Sequence, residues 1–230
     1  MNMFFMFVRQ MVALCSAAIF MTIASAADST KDLLETAPVF QLLLDNSGSS
    51  PATDQSFVNS AWPIIESKVR SLPMGTVVIV NTVGDASLSP LMKRTRIQKV
   101  TTGEGAAVED IVRSLKSIVL GFPKRVQGQE HGQSHLIGGF FDASKNLNIN
   151  ASTKNLIVAL TDLIEFSSMA NCYKDKACRL PKPAFKLDNT DLVALGVGRG
   201  LPSDREIAVF SSWGKFFSQT GASFDLRKTF

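Results

Sequence analysis

The stretch Val39-Phe40-Gln41-Leu42-Leu43-Leu44-Asp45-Asn46-Ser47-Gly48-Ser49 decides the fold. Its first six residues form an apolar run without period-2 alternation, the pattern of a strand buried on both faces. The strand then delivers one carboxylate and two hydroxyls, at spacing two, to its own carboxyl end. That end is where open α/β sheets place their ligands. Oxygen-only donors of this kind suit a hard divalent cation such as Mg²⁺.

Outward from this strand, strand and helix patterns alternate. Gln55 to Ser71 carries Phe57, Ala61, Ile64, Ile65 and Val69 at helical spacing, with Pro63 expected to kink or split the helix. Thr76 to Val83 is a β-branched run, and Arg96 to Thr101 alternates as a shorter edge strand. Ala106 to Leu120 repeats with a helical period, and Gly121 can end it. Ser134 is placed to open a helix running to about Leu147. Asn155 to Leu160 and Leu192 to Val197 are further continuous apolar strands. Ser203 to Thr220 is helical, with Ile207, Phe210, Trp213 and Phe217 on one face, and Ala222 to Leu226 is a last strand. The order predicts an α/β, doubly wound fold. Its central sheet is mostly parallel, with about six strands, one antiparallel edge strand and helices on both faces.

The first 26 residues read as a signal peptide rather than as fold. Arg9 is their only charge, an apolar stretch runs from Met11 to Ile23, and Ala24-Ser25-Ala26 fits a cleavage site ahead of Ala27. The expected organisation is residues 1–26 as signal and 27–230 as a single domain, exported to a periplasm or, as an alternative, secreted. The net charge of +4 is mild and spread along the chain, which is not the footprint of a nucleic-acid binder. The basic run Lys93-Arg94-Thr95-Arg96 reads as a solvated edge. Of three cysteines, Cys15 falls in the signal. Cys172 and Cys178 remain as an even pair in an exported chain, which predicts a local disulfide in the insert Ile164 to Asp188. The only histidines, His131 and His135, have no third ligand in attendance and read as loop residues.

Three strand ends or helix starts carry the candidate chemistry: Asp45, Ser47 and Ser49 after the first strand, Ser134 before a helix, and Asp162 after Asn155 to Leu160. If the strands of Asp45 and Asp162 are neighbours, two carboxylates and three hydroxyls converge at one edge. Such a set does not complete a divalent octahedron, so a cation there keeps waters or takes a carboxylate from a partner.

On these residues the chain resembles the von Willebrand factor type A domain with its metal-ion-dependent adhesion site. The match runs from about Val39 to Leu226 and rests on DNSGS at Asp45 to Ser49 and on Asp162 in ALTDL. The resemblance implies direct metal ligation by Ser47 and Ser49, an Asp45 that acts through water, and Asp162 as a direct or water-mediated ligand. Ser134, in GQSHLIGG, stands for the threonine that usually completes the site. Asp162 is followed by Leu163 where the family usually has glycine, a change expected to narrow a ligand's approach. The implied function is non-enzymatic: a protein-binding module whose divalent cation, Mg²⁺ first and Mn²⁺ or Ca²⁺ as alternatives, takes a Glu or Asp of a partner protein. A metal-independent scaffold in a cell-envelope complex is the alternative. A Mg²⁺-dependent phosphatase-like hydrolase fits less well, because Ser47 occupies the position where the haloacid-dehalogenase pattern needs its second aspartate.

Overall fold

In a computed structural model, the structure describes residues 36–84, 88–98, 105–129 and 132–229. The expected signal segment, Cys15, His131 and Lys99 to Thr101 lie outside these residues. The sheet and its helices belong to one compact unit, Ala37–Phe230.

Seven strands form one sheet: β1 (Val39–Asp45), β2 (Val77–Val83), β3 (Ser89–Ile97), β4 (Gly105–Ala106), β5 (Asn155–Leu160), β6 (Thr190–Leu195) and β7 (Ser223–Arg227). Their spatial order is β4-β3-β2-β1-β5-β6-β7. Every neighbouring pair is parallel except β2 with β3. The described α-helices are α1 (Gln55–Arg70), α2 (Val108–Val126), α3 (Leu136–Ser144) and α4 (Ser203–Thr220). The architecture is the doubly wound α/β class predicted, with seven strands in place of about six.

The apolar runs explain the layering. Successive side chains of a strand point to opposite faces. Phe40, Leu42 and Leu44 of β1 join Val78, Val80, Val158 and Leu160 beneath α1 and α2. Leu43 joins Ile157, Ala159, Leu192 and Ala194 beneath α3 and α4. Both faces of the central strands are therefore apolar, which is why alternation is missing from their sequence. Gln41 is the exception on β1. It is fully buried and donates from Nε2 to the Ala143 carbonyl at 2.8 Å, tying down the carboxyl-terminal turn of α3.

Several expected boundaries move, each for a packing reason. Pro63 does not split α1, which runs through it as one helix. Pro63 itself faces solvent, while Ala61, Trp62, Ile65 and Val69 on either side pack on one sheet face. Gly121 does not end α2; the helix continues past Pro123 because Phe122 and Val126 extend the buried stripe of Leu115 and Val119. The third strand begins earlier than Arg96, at Ser89, and it is not the outermost one, since β4 pairs with Arg96 and Ile97. Its mostly exposed surface and the register shifts opposite Val78, Val80 and Asn81 obscured it in the sequence. β6 begins two residues earlier than predicted, at Thr190. On α4, Trp213 and Phe217 are core as expected, whereas Ile207 is exposed and Val209 and Phe216 take its place inside.

Candidate metal centre

The register sets the site. β1 lies directly between β2 and β5, with Leu44 opposite Leu160. One step further, Asp45 reaches the level of Thr161, and Asp162 follows immediately. The two strand-end carboxylates therefore emerge side by side at the carboxyl edge, as the sequence pattern required.

Asp45 is fully buried, and both its oxygens are used. Oδ1 accepts the Ser47 N–H at 2.9 Å, and Oδ2 accepts the Thr161 hydroxyl at 2.7 Å. Thr161 Oγ1 in turn accepts the Leu163 N–H at 3.1 Å. Asp45 thus braces the turn after β1 and, through Thr161, the turn after β5. Asp162 is also fully buried; Oδ1 accepts the Ile164 N–H at 2.9 Å, and Oδ2 has no partner. Burial pushes both carboxyls above the usual carboxylate range, and for Asp162 the neighbouring Asp45 charge adds to the rise. The exposed Ser49 hydroxyl works against that rise, so it lies close to Asp162.

Ser47 and Ser134 are buried, and the Oγ of each lacks a hydrogen-bond partner. Ser134 does not open α3 as predicted. Its backbone is taken up in a two-way bridge, donating to the Phe166 carbonyl at 3.1 Å and accepting from the Phe166 N–H at 2.9 Å. The helix begins two residues later, and its N-terminal cap comes from a distant residue: Glu165 Oε2 accepts the Ile137 N–H at 2.9 Å. Glu165 is fully buried, its Oε1 is unpartnered, and burial lifts its carboxyl to about 7. The structure brings Asp45, Ser47, Ser49, Ser134 and Asp162 to one edge, with Ser47, Ser49 and Ser134 on the wall of one open cavity.

Buried polar atoms are ordinarily bonded. Among the described residues, five of the six unpartnered buried side-chain oxygens gather here, Asn46 Oδ1, Ser47 Oγ, Ser134 Oγ, Asp162 Oδ2 and Glu165 Oε1; the sixth, Gln41 Oε1, lies in the middle of β1. Two hydroxyls and a carboxylate oxygen lacking donors make a donor set that fits a hard cation. Among the described residues no trio of His, Cys, Asp and Glu is placed to hold a metal, so a cation at this edge rests on two acids and hydroxyls. His135 bonds Gln133 Oε1 through Nε2 at 3.0 Å.

Three residues were not singled out from sequence. Thr161 and Glu165 are recruited by long-range register. Gly84, at φ 121°, backs the DNSGS turn so closely that a Cβ would stand 2.7 Å from Asn46 Oδ1 and 3.0 Å from Asp45 Oδ1. Leu163 takes a left-handed φ of 56°, the conformation that favours glycine. Its side chain does not narrow the cavity as expected. It is buried in the core under α3 and α4, and its carbonyl accepts the Trp213 indole N–H at 2.6 Å. Packing and this bond hold a conformation that glycine would adopt freely. Cys172 and Cys178 form the predicted disulfide inside the insert.

No family model matches the chain, and no curated protein matches it. Among solved structures it is similar to the ArnB paralog VWA2 from Sulfolobus acidocaldarius, at 10% identity and TM-score 0.42 over 84% of this chain and 42% of that one. It is similar also to proximal thread matrix protein 1 from the mussel byssus, at 15% identity and TM-score 0.43 over 83% of this chain and 42% of that one. The chain spans less than half the length of either structure. Likenesses this distant fix neither a family nor an activity.

Proposed function

We propose that this is an exported protein-binding module of the von Willebrand factor type A kind, and not an enzyme. In this reading Ser47, Ser49, Ser134 and Asp162 hold a divalent cation, Mg²⁺ first, with Asp45 acting from behind. The single observation that carries it is the grouping of unpartnered, buried oxygens on Ser47, Ser134 and Asp162 at the carboxyl edge of β1 and β5. A bound cation supplies a Lewis-acidic position for a Glu or Asp of a partner protein. The chain's own residues do the rest. Asp45 fixes the Ser47 backbone, Thr161 fixes Asp45, and the Ser134–Phe166 bridge sets the Ser134 hydroxyl against the cavity. The strands and their order support the family reading, as does DNSGS after the central strand. The Cys172–Cys178 disulfide supports an oxidising, exported setting, periplasmic or secreted. No helix among the described residues is long and apolar enough to cross a membrane.

One observation favours a second reading. Both Asp45 oxygens are satisfied by protein groups, so this acid does structural work with no cation present, as a metal-independent scaffold requires. Thermal unfolding in EDTA and in millimolar Mg²⁺, Mn²⁺ or Ca²⁺ separates the two. A cation at ~100 times its dissociation constant adds about 2.7 kcal/mol, a midpoint rise of roughly 5–10 °C for a domain of this size. The metal-dependent reading expects such a rise in the native chain and its loss in Ser134→Ala. No rise with any of the three cations selects the scaffold.

A further inference from the structure

The cavity over the serines has a second, aromatic wall, whose Tyr173 lies close to Ser49. It holds about 460 Å³, within the ~300–1,000 Å³ of sites that take small ligands or side chains. Ser47, Gly48, Ser49 and Ser134 form its polar side; Phe166 and Tyr173 form the other. The two rings meet edge to face with centroids 5.7 Å apart. Tyr173 is 44% exposed although it is large and apolar over most of its surface, so its ring is displayed rather than packed away.

The wall is held firmly. Phe166 is bridged to Ser134 on one side and to Asn171 on the other. Tyr173 directly follows Cys172, whose N–H donates to the Glu165 carbonyl at 2.8 Å and whose sulfur closes the disulfide to Cys178. The Tyr173 carbonyl accepts from Arg205 at 2.8 Å. A pre-set aromatic wall orders few groups on binding, which favours affinity. Lys174 and Lys176 follow Tyr173 in the chain and are exposed, while the intervening Asp175 is engaged by the Arg179 backbone and guanidinium, which leaves two cations to meet an acidic segment that lies along this loop.

We infer that the occupant is an extended segment of a partner protein carrying an aromatic side chain next to its metal-binding carboxylate, with the aromatic ring seated on Phe166 and Tyr173. This inference rests on the metal-dependent reading above. It is tested on the full chain, disulfide intact, in millimolar Mg²⁺, by NMR titration with three capped tetrapeptides: Gly-Asp-Phe-Gly, Gly-Asp-Ala-Gly and Gly-Asn-Phe-Gly. Asp-Phe is expected to bind about tenfold more tightly than Asp-Ala, with Asn-Phe weakest. Tyr173→Ala is expected to bring Asp-Phe to the Asp-Ala level, and Tyr173→Phe to keep the preference. Equal binding of Asp-Phe and Asp-Ala by the native chain overturns this inference alone. Equal binding of Asp-Phe and Asn-Phe, or no binding of either Asp peptide, overturns both it and the carboxylate-binding reading beneath it.

Discussion

The two edges of the sheet differ in how completely they pair their buried polar groups. At the amino edge, Asn155 is fully buried and fully used. Its Oδ1 accepts the Val39 N–H at 3.0 Å, and its Nδ2 donates to the Asn148 carbonyl at 2.9 Å and the Asn189 carbonyl at 3.3 Å. Thr76 and Thr190 are likewise buried and bonded, to the carbonyls of Pro73 and Asp188. At the carboxyl edge, Ser47, Ser134, Asp162 and Glu165 each keep a buried oxygen without a partner. A satisfied polar network fixes architecture, and an unsatisfied one is costly unless something else completes it. The contrast sets residues whose polar atoms are all paired within the fold apart from residues that keep an unpaired buried oxygen.

The sharpest way to break this contrast is at the amino edge. Asn155→Leu strands the Val39 N–H and the Asn148 carbonyl, each costing ~1–3 kcal/mol when buried, while the Asn189 carbonyl keeps the residue-155 backbone N–H. We expect a loss of about 3–5 kcal/mol in urea unfolding, equal in EDTA and in Mg²⁺. A loss under ~1 kcal/mol means that the amino edge is no more structural than the other.

Next in size is a pH effect at the carboxyl edge. The folded chain keeps the Glu165 proton up to about 7, while an ordinary glutamate releases it near 4.5. Between these values the folded state binds more protons, so stability falls as pH rises. The fall attributable to Glu165 is on the order of 2–3 kcal/mol. Glu165→Gln can still accept from the Ile137 N–H and is expected to remove that share of the slope in EDTA between pH 5 and pH 8. An unchanged slope assigns the pH dependence to other groups.

The smallest expected effect is the most diagnostic. Ser47→Ala deletes a hydroxyl with no protein partner, so in EDTA it should change stability by no more than ~0.5 kcal/mol. It should nonetheless abolish any cation-induced rise in the midpoint. A loss of ~2 kcal/mol in EDTA would place Ser47 with Asn155, among the structural groups.

What the sequence made legible divides in the same way. The central strands declared themselves because both their faces are apolar, and DNSGS stood out because it follows such a strand. β3 was misplaced because most of its residues are exposed or half-buried and carry no periodic signal. Ser134 was found as a hydroxyl but assigned to a helix start, since nothing local foretells its backbone bridge to Phe166. Thr161 and Glu165 escaped because their roles depend on partners 116 and 28 residues away. Leu163 was weighed by its side chain, whereas its backbone angle and the burial that sustains it arise only once α4 has packed.

That last contact has an optical consequence. Of the two tryptophans, Trp62 lies in the cluster under α1 and α2, on the opposite sheet face. Trp213 alone bonds the residue that follows Asp162. Indole emission depends on the field and hydrogen bonding of its N–H, so Trp213 is a reporter wired to that strand end. In a Trp62→Phe background, the colour of the remaining fluorescence reads the position of the Asp162 loop directly, with no added label.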